Sequence, residues 1–127
     1  MRTKNIPDNK IIFLCGSTKF KQQYESIAFR FTVKGYVVLV PAVYQHADGV
    51  VYDKDTKTRI KQLDKVKIDL ADSVYVVNPG GYIGSSTLDA IEYANKAGKT
   101  IEFLEPPTNL NFIETLLAEK KKRDQKQ

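Results

Sequence analysis

The chain has 127 residues, 42% of them hydrophobic, with 20 Lys and Arg against 15 Asp and Glu and a single cysteine, Cys15. That length buries a core without metal or disulfide staples, one cysteine excludes a disulfide framework, and no apolar run approaches the ~20 residues that cross a bilayer. Residues 120–127, KKKRDQKQ, hold +4 of the net +5, so the rest of the chain is near neutral, which weighs against a basic nucleic-acid-binding face.

The opening MRTKNIPDNK is polar and lacks the apolar stretch of a secretory signal. A soluble, cytoplasmic protein of one domain, 1–127, is expected. The basic tail at about 120–127 reads as a solvated helix end whose charges suit the helix dipole.

In chain order, Ile11-Ile12-Phe13-Leu14-Cys15 is a continuous apolar run closed by Gly16, and it reads as a strand buried on both faces. From Lys19 to Val33, Phe20, Tyr24, Ile27, Ala28 and Phe31 recur at helical spacing, and Lys34-Gly35 supplies the stop. Tyr36 to Val40 is a second strand, ended by Pro41. Residues 42–57 read as a long loop with a short hairpin, a length that is usually functional or mobile. A helix from Thr58 to about Leu70 follows, with Ile60, Leu63, Val66 and Leu70 as its expected inner stripe. Ser73 to Val77 is a third strand before Asn78-Pro79-Gly80-Gly81. Ser86 to Ala97 is a helix with Leu88, Ile91 and Ala94 inward, Gly98 ends it, and Ile101 to Leu104 is a fourth strand. A last helix is expected from Asn109 or Asn111 towards Lys122.

Strands alternating with helices predict an α/β fold: a parallel sheet of four to five strands with helices on both faces. Such sheets receive ligands outside the carboxyl ends of their strands, which selects residues 15–19, 41–49 and 78–87. In the first segment, Gly16 lets a ligand approach the backbone, and Ser17 or Thr18 can cap the helix or meet the ligand. It is neither a dinucleotide nor a nucleoside-triphosphate fingerprint. In the third, Gly80, Gly81 and Gly84 with Ser85, Ser86 and Thr87 make a second nest of backbone donors. The candidate carboxylates are Asp48, Asp64, Asp69, Asp72, Asp89 and Glu92. His46 is the one histidine, so a zinc site is not expected, and no G-x-S-x-G elbow supports a serine triad.

Three motifs occur in order: Cys15-Gly-Ser-Thr-Lys, then Lys67-Ile-Asp-Leu-Ala-Asp, then Gly80-Gly-Tyr-Ile-Gly-Ser-Ser-Thr with Ile-Glu-Tyr-Ala and Gly-Lys beyond it. In this set the chain resembles the nucleoside 2-deoxyribosyltransferases and the related deoxynucleoside 5′-monophosphate N-hydrolases, over residues 10–105. The Gln-His-Ala-Asp-Gly of the long loop is similar too. The resemblance implies a flavodoxin-like three-layer fold, a homodimer or higher homo-oligomer, no metal or organic cofactor, and cleavage of an N-glycosidic bond. In that chemistry a glutamate attacks the anomeric carbon, and an aspartate on the preceding helix holds the sugar or helps the base leave. Asp64 stands where that aspartate is expected. Gly16 and Ser17 match the first sugar or phosphate loop, and Gly84, Ser85 and Ser86 lie in the second. Tyr44 and His46 are candidates for contact with the base, as is Tyr24 if its helix lines the pocket, and Lys19 for the 5′ end.

The departure from the pattern is at the nucleophile. Thr87-Leu88-Asp89 is followed by Ala90 where the family has glutamate, and a methyl group cannot attack carbon. At about 100° per helical residue, Asp89 points one step round the helix and Glu92 about 200° away from position 90. Either Ala90 replaces a glutamate that was deliberately removed, or a natural member has lost or relocated its nucleophile. The expected activity is cleavage or base exchange on a deoxyribonucleoside or its 5′-monophosphate, impaired in this chain. The alternative is a non-catalytic nucleotide-binding or nucleotide-sequestering protein on the same fold.

Overall fold

The computed structural model describes residues 10–41 and 51–108. The expected C-terminal helix, the basic tail and the loop residues Tyr44, His46 and Asp48 lie outside the described residues.

Four apolar runs form one parallel sheet: β1 (Ile11–Gly16), β2 (Val37–Leu39), β3 (Ser73–Val77) and β4 (Thr100–Phe103), in the order β2-β1-β3-β4. The inner strands are the most apolar, as expected where both faces of a sheet are covered. Helix α1 (Lys21–Val33) covers one face, where Tyr24 and Ile27 pack with Leu14 and Val77. Helices α2 (Lys54–Leu70) and α3 (Ser85–Lys96) cover the other, where Ile68, Ile91 and Ala94 pack with Phe13, Cys15, Val74 and Val76. The fold is α/β with a flavodoxin-like arrangement of three layers.

Chain order and spatial order part company between β1 and β3. The chain leaves β1 towards β2 on one side and leaves β3 towards β4 on the other, so a crevice opens above their carboxyl ends. At the amino end the two strands are tied by Asp72, whose carboxylate accepts from Ile11 N–H at 2.7 Å while its own N–H donates to Ile11 O at 2.7 Å. Asp72 is therefore a structural carboxylate, far from the crevice.

Helix α2 departs from expectation twice. It begins at Lys54, four residues before Thr58, and the Asp53 carboxylate caps it by accepting from Thr56 N–H at 2.7 Å. Residues 54–57 are thus its first turn and not loop or hairpin; that turn carries no apolar residue, so periodicity is blind to it. Its inner face is also rotated. Leu63, Val66 and Leu70 are 50%, 50% and 60% exposed, whereas Ile68 is fully buried and Ile60, Asp64 and Lys67 are half-buried. Lys67 Nζ fixes this rotation by donating to Val40 O at 2.8 Å, and Asp69 holds the neighbouring helix by accepting from Tyr93 Oη at 2.7 Å.

Candidate active site

The loop after β1 is shaped by Gly16, with φ +146° and the Val77 carbonyl oxygen of the paired strand where a Cβ would lie. Ser17 and Thr18 do not cap α1. Its N-cap is Phe20, with no side-chain hydrogen bond, and Ser17 Oγ accepts from Lys19 N–H at 3.4 Å one turn earlier. The two hydroxyl side chains are thereby left in the loop, on the crevice.

The loop after β3 is held from behind. Asn78, fully buried, donates to Glu105 O at 2.8 Å and accepts from Glu105 N–H at 3.0 Å, clamping the end of β3 to the chain beyond β4. Gly80 N–H donates to the Glu105 carboxylate, and Thr108 N–H donates to Gly81 O at 3.0 Å. Gly81 has φ +80°, and a Cβ there would meet Pro106 O at 2.6 Å. These contacts fix the loop before any ligand arrives. Gly84 is the N-cap of α3 and makes no side-chain cap, so the capping residue itself leaves the first-turn N–H groups of that helix uncovered. A Cβ on Gly84 would lie 3.1 Å from the Tyr82 hydroxyl, so the glycine leaves room for the Tyr82 ring beside the helix start.

Both loops open on one cavity of about 660 Å³, bordered by Gly16, Ser17, Thr18, Gly84, Ser85 and Ser86. Asp64 from α2 and Ala90 from α3 border it too. Of the expected site residues among the described ones, Gly16, Ser17, Asp64, Gly84, Ser85, Ser86 and Ala90 are therefore brought together. Pro41 and Tyr52, which flank the segment carrying Tyr44 and His46, also line it. Tyr24 does not. It is fully buried in the core on the α1 side, because α1 lies on the face of the sheet away from α2 and α3, so its assignment to base contact is corrected.

The structure also sorts the carboxylates. Among the described residues Asp64 alone borders the main cavity. Asp69 and Asp72 are tied to structure, Asp89 borders only a neighbouring groove of about 320 Å³ between α2 and α3, and Glu92 pairs with Lys96 at 2.8 Å. That ion pair keeps the Glu92 carboxyl below its ordinary pKa. The side chain of Asp64 is 25% exposed; its Oδ1 is shielded from solvent and accepts no hydrogen bond from a described residue, with Lys67 Nζ at 3.9 Å. Burial raises the Asp64 pKa, and Lys67 offsets part of the rise. Such a carboxyl retains a proton to higher pH than an ordinary aspartate and is suited to donating it to a leaving group.

Cys15 lines the cavity floor, but burial and, secondarily, the charge of Asp64 push its thiol up to about 12. It is a neutral packing residue and not a replacement nucleophile. Iodoacetamide at pH 8 is expected to leave Cys15 unmodified in the folded protein and to label it fully in denaturant, as read by mass spectrometry. Labelling at equal rates in both would show that the thiol is exposed and ionised.

Sequence reasoning missed one aromatic and one wall. Tyr82, 50% exposed, lines the cavity and carries the Lys19 ammonium 4.5 Å above its ring, a cation–π contact joining the two loops. An aromatic residue inside a glycine-rich loop was the available signal. The wall is the amino-terminal half of α2, with Lys54, Lys57, Thr58 and Lys61. Reading 54–57 as loop hides it.

No protein-family model matches the chain, and no curated protein matches it. The functional reading therefore stands on the site and on the motifs that compose it.

Proposed function

We propose that the cavity binds a deoxyribonucleoside or its 5′-monophosphate, and that the site is built to cleave or exchange its N-glycosidic bond through a glycosyl-enzyme intermediate. The observation that supports this best is the convergence of two donor loops, one hydrogen-bond-deficient carboxyl and position 90 on a single cavity. The loops supply hydroxyl and backbone N–H donors suited to the 5′ end of a sugar. Asp64, with its raised pKa, would hold the furanose or protonate the departing base. Position 90 borders the cavity from α3, where an attacking carboxylate would stand, and here it is a methyl. As it stands the chain is a binder with strongly impaired turnover. That methyl also fits the second reading, a non-catalytic nucleotide-binding or nucleotide-sequestering protein on the same fold.

The same reading makes the protein a cytoplasmic homodimer. The exposed row Leu63, Val66 and Leu70 on α2 supports self-association, and among the described residues no helix is long and apolar enough to cross a membrane.

Titration calorimetry of the common deoxynucleosides and their 5′-monophosphates tests the reading. Saturable, stoichiometric binding is expected for at least one of them, weakened about tenfold or more by Asp64→Leu, since the half-buried carboxyl that pairs with substrate is then removed altogether. No heat of binding with any of these ligands would sink it.

A further inference from the structure

The cavity wall contributed by α2 is strongly cationic, and the glycosidic chemistry does not account for it. Lys54, Lys57 and Lys61 all line the cavity. Their spacing of three and four places them in one row along the helix, about 10 Å from first to last. Against these three cations the described lining holds one carboxylate, Asp64, which lies nearest Lys67 and bears a proton to raised pH. None of the three lysines is ion-paired with a described residue, although Asp53 lies four residues before Lys57 and Asp64 three residues after Lys61. The Asp53 carboxylate is engaged instead in capping Thr56 N–H. Three like charges along one wall repel one another, and an anion lying along the row relieves that repulsion.

The donor loops already offer a place for one 5′ phosphate, with Lys19 beside them. The row lies on a different element, in a cavity of about 660 Å³, in the upper half of the range that small-molecule sites occupy. Resting on the nucleotide reading above, we infer that the ligand carries a second phosphoryl group and that Lys54, Lys57 and Lys61 receive it. Two sources share that chemistry: a free nucleotide bearing two phosphoryl groups, or the 5′-phosphorylated end of an oligonucleotide, whose successive phosphates would follow the row.

The test is calorimetry on the full chain with a deoxynucleoside, its 5′-monophosphate, its 3′,5′-bisphosphate, its 5′-diphosphate and a 5′-phosphorylated dinucleotide. At low salt, at least one ligand with two phosphoryl groups is expected to bind about tenfold or more tightly than the monophosphate. The ratio should collapse towards one in Lys57→Gln/Lys61→Gln and persist in Lys57→Arg/Lys61→Arg. A preference for the bisphosphate or diphosphate identifies a free nucleotide, and a preference for the dinucleotide identifies a strand end. Equal affinity for ligands with one and two phosphoryl groups, or a preference that survives the glutamine pair, overturns the inference and leaves the glycosidic reading intact. Failure of the deoxynucleoside and every nucleotide to bind overturns both.

Discussion

Ala90→Glu is expected to convert the chain from a binder into a catalyst, releasing free base from a deoxynucleoside or its 5′-monophosphate at least about a thousandfold faster than the unaltered chain. Position 90 borders both the main cavity and the groove between α2 and α3, so there is room for two methylenes and a carboxylate. No described neighbour supplies the missing oxygen. Asp89 borders the groove alone, and Glu92 is committed to Lys96. The balanced step is attack of a glutamate oxygen on C1′ with departure of the base along the N-glycosidic bond. In that proposed step the carboxyl of Asp64 would protonate the base, and water or a second base would then resolve the glycosyl ester.

Because burial raises the Asp64 pKa, its acid form dominates below that value and is lost as pH rises through it, so the rate should fall on that limb. The new carboxylate nearby would raise it further by like-charge repulsion. Adding Asp64→Asn should abolish the limb. Chromatographic assay of released base against pH reads both effects. An Ala90→Glu chain that binds nucleotides yet releases no base from any of them would leave the sequestering protein as the surviving reading.

Gly16→Ala is expected to be the most damaging conservative change in the described part of the chain, costing about 3 kcal/mol or more and roughly 10 °C in Tm. Two effects add there. A side chain at φ +146° is strained, and its Cβ would collide with the backbone oxygen of Val77, the residue paired with Gly16 across the two central strands. A backbone oxygen in a sheet cannot move aside as a flexible side chain would. Gly98→Ala separates the effects, because Gly98 also has positive φ, +76°, but nothing lies within 4 Å of where its Cβ would stand. It should cost only about 1 kcal/mol. Thermal unfolding of the two variants gives the comparison, and equal losses would mean that the collision at Gly16 is relieved by a small shift.

The amino-acid sequence by itself determined the strands, the alternation with helices and therefore the sheet. Short β-branched runs closed by Gly or Pro, such as Ser73 to Val77, allow few alternatives, and Gly16 and Gly84 marked the two loops that face the crevice. Through the resemblance it also singled out position 90, and helix geometry set where Asp89 and Glu92 point relative to it. What it left open was the absolute rotation of α2. Ile60, Leu63, Val66 and Leu70 are spaced as a buried stripe should be, yet the inward row runs through half-buried Ile60 and Asp64 to fully buried Ile68. Periodicity penalises an inward carboxyl, and an inward carboxyl is what a site requires. Only tertiary packing decided it: Ile68 against the sheet, Lys67 on the Val40 carbonyl and Tyr93 on Asp69 turned Asp64 and three lysines towards the cavity and left Leu63, Val66 and Leu70 outside. Local spacing sets which residues share a face, but the choice of face is a competition between surfaces distant in sequence, and it is settled where they meet.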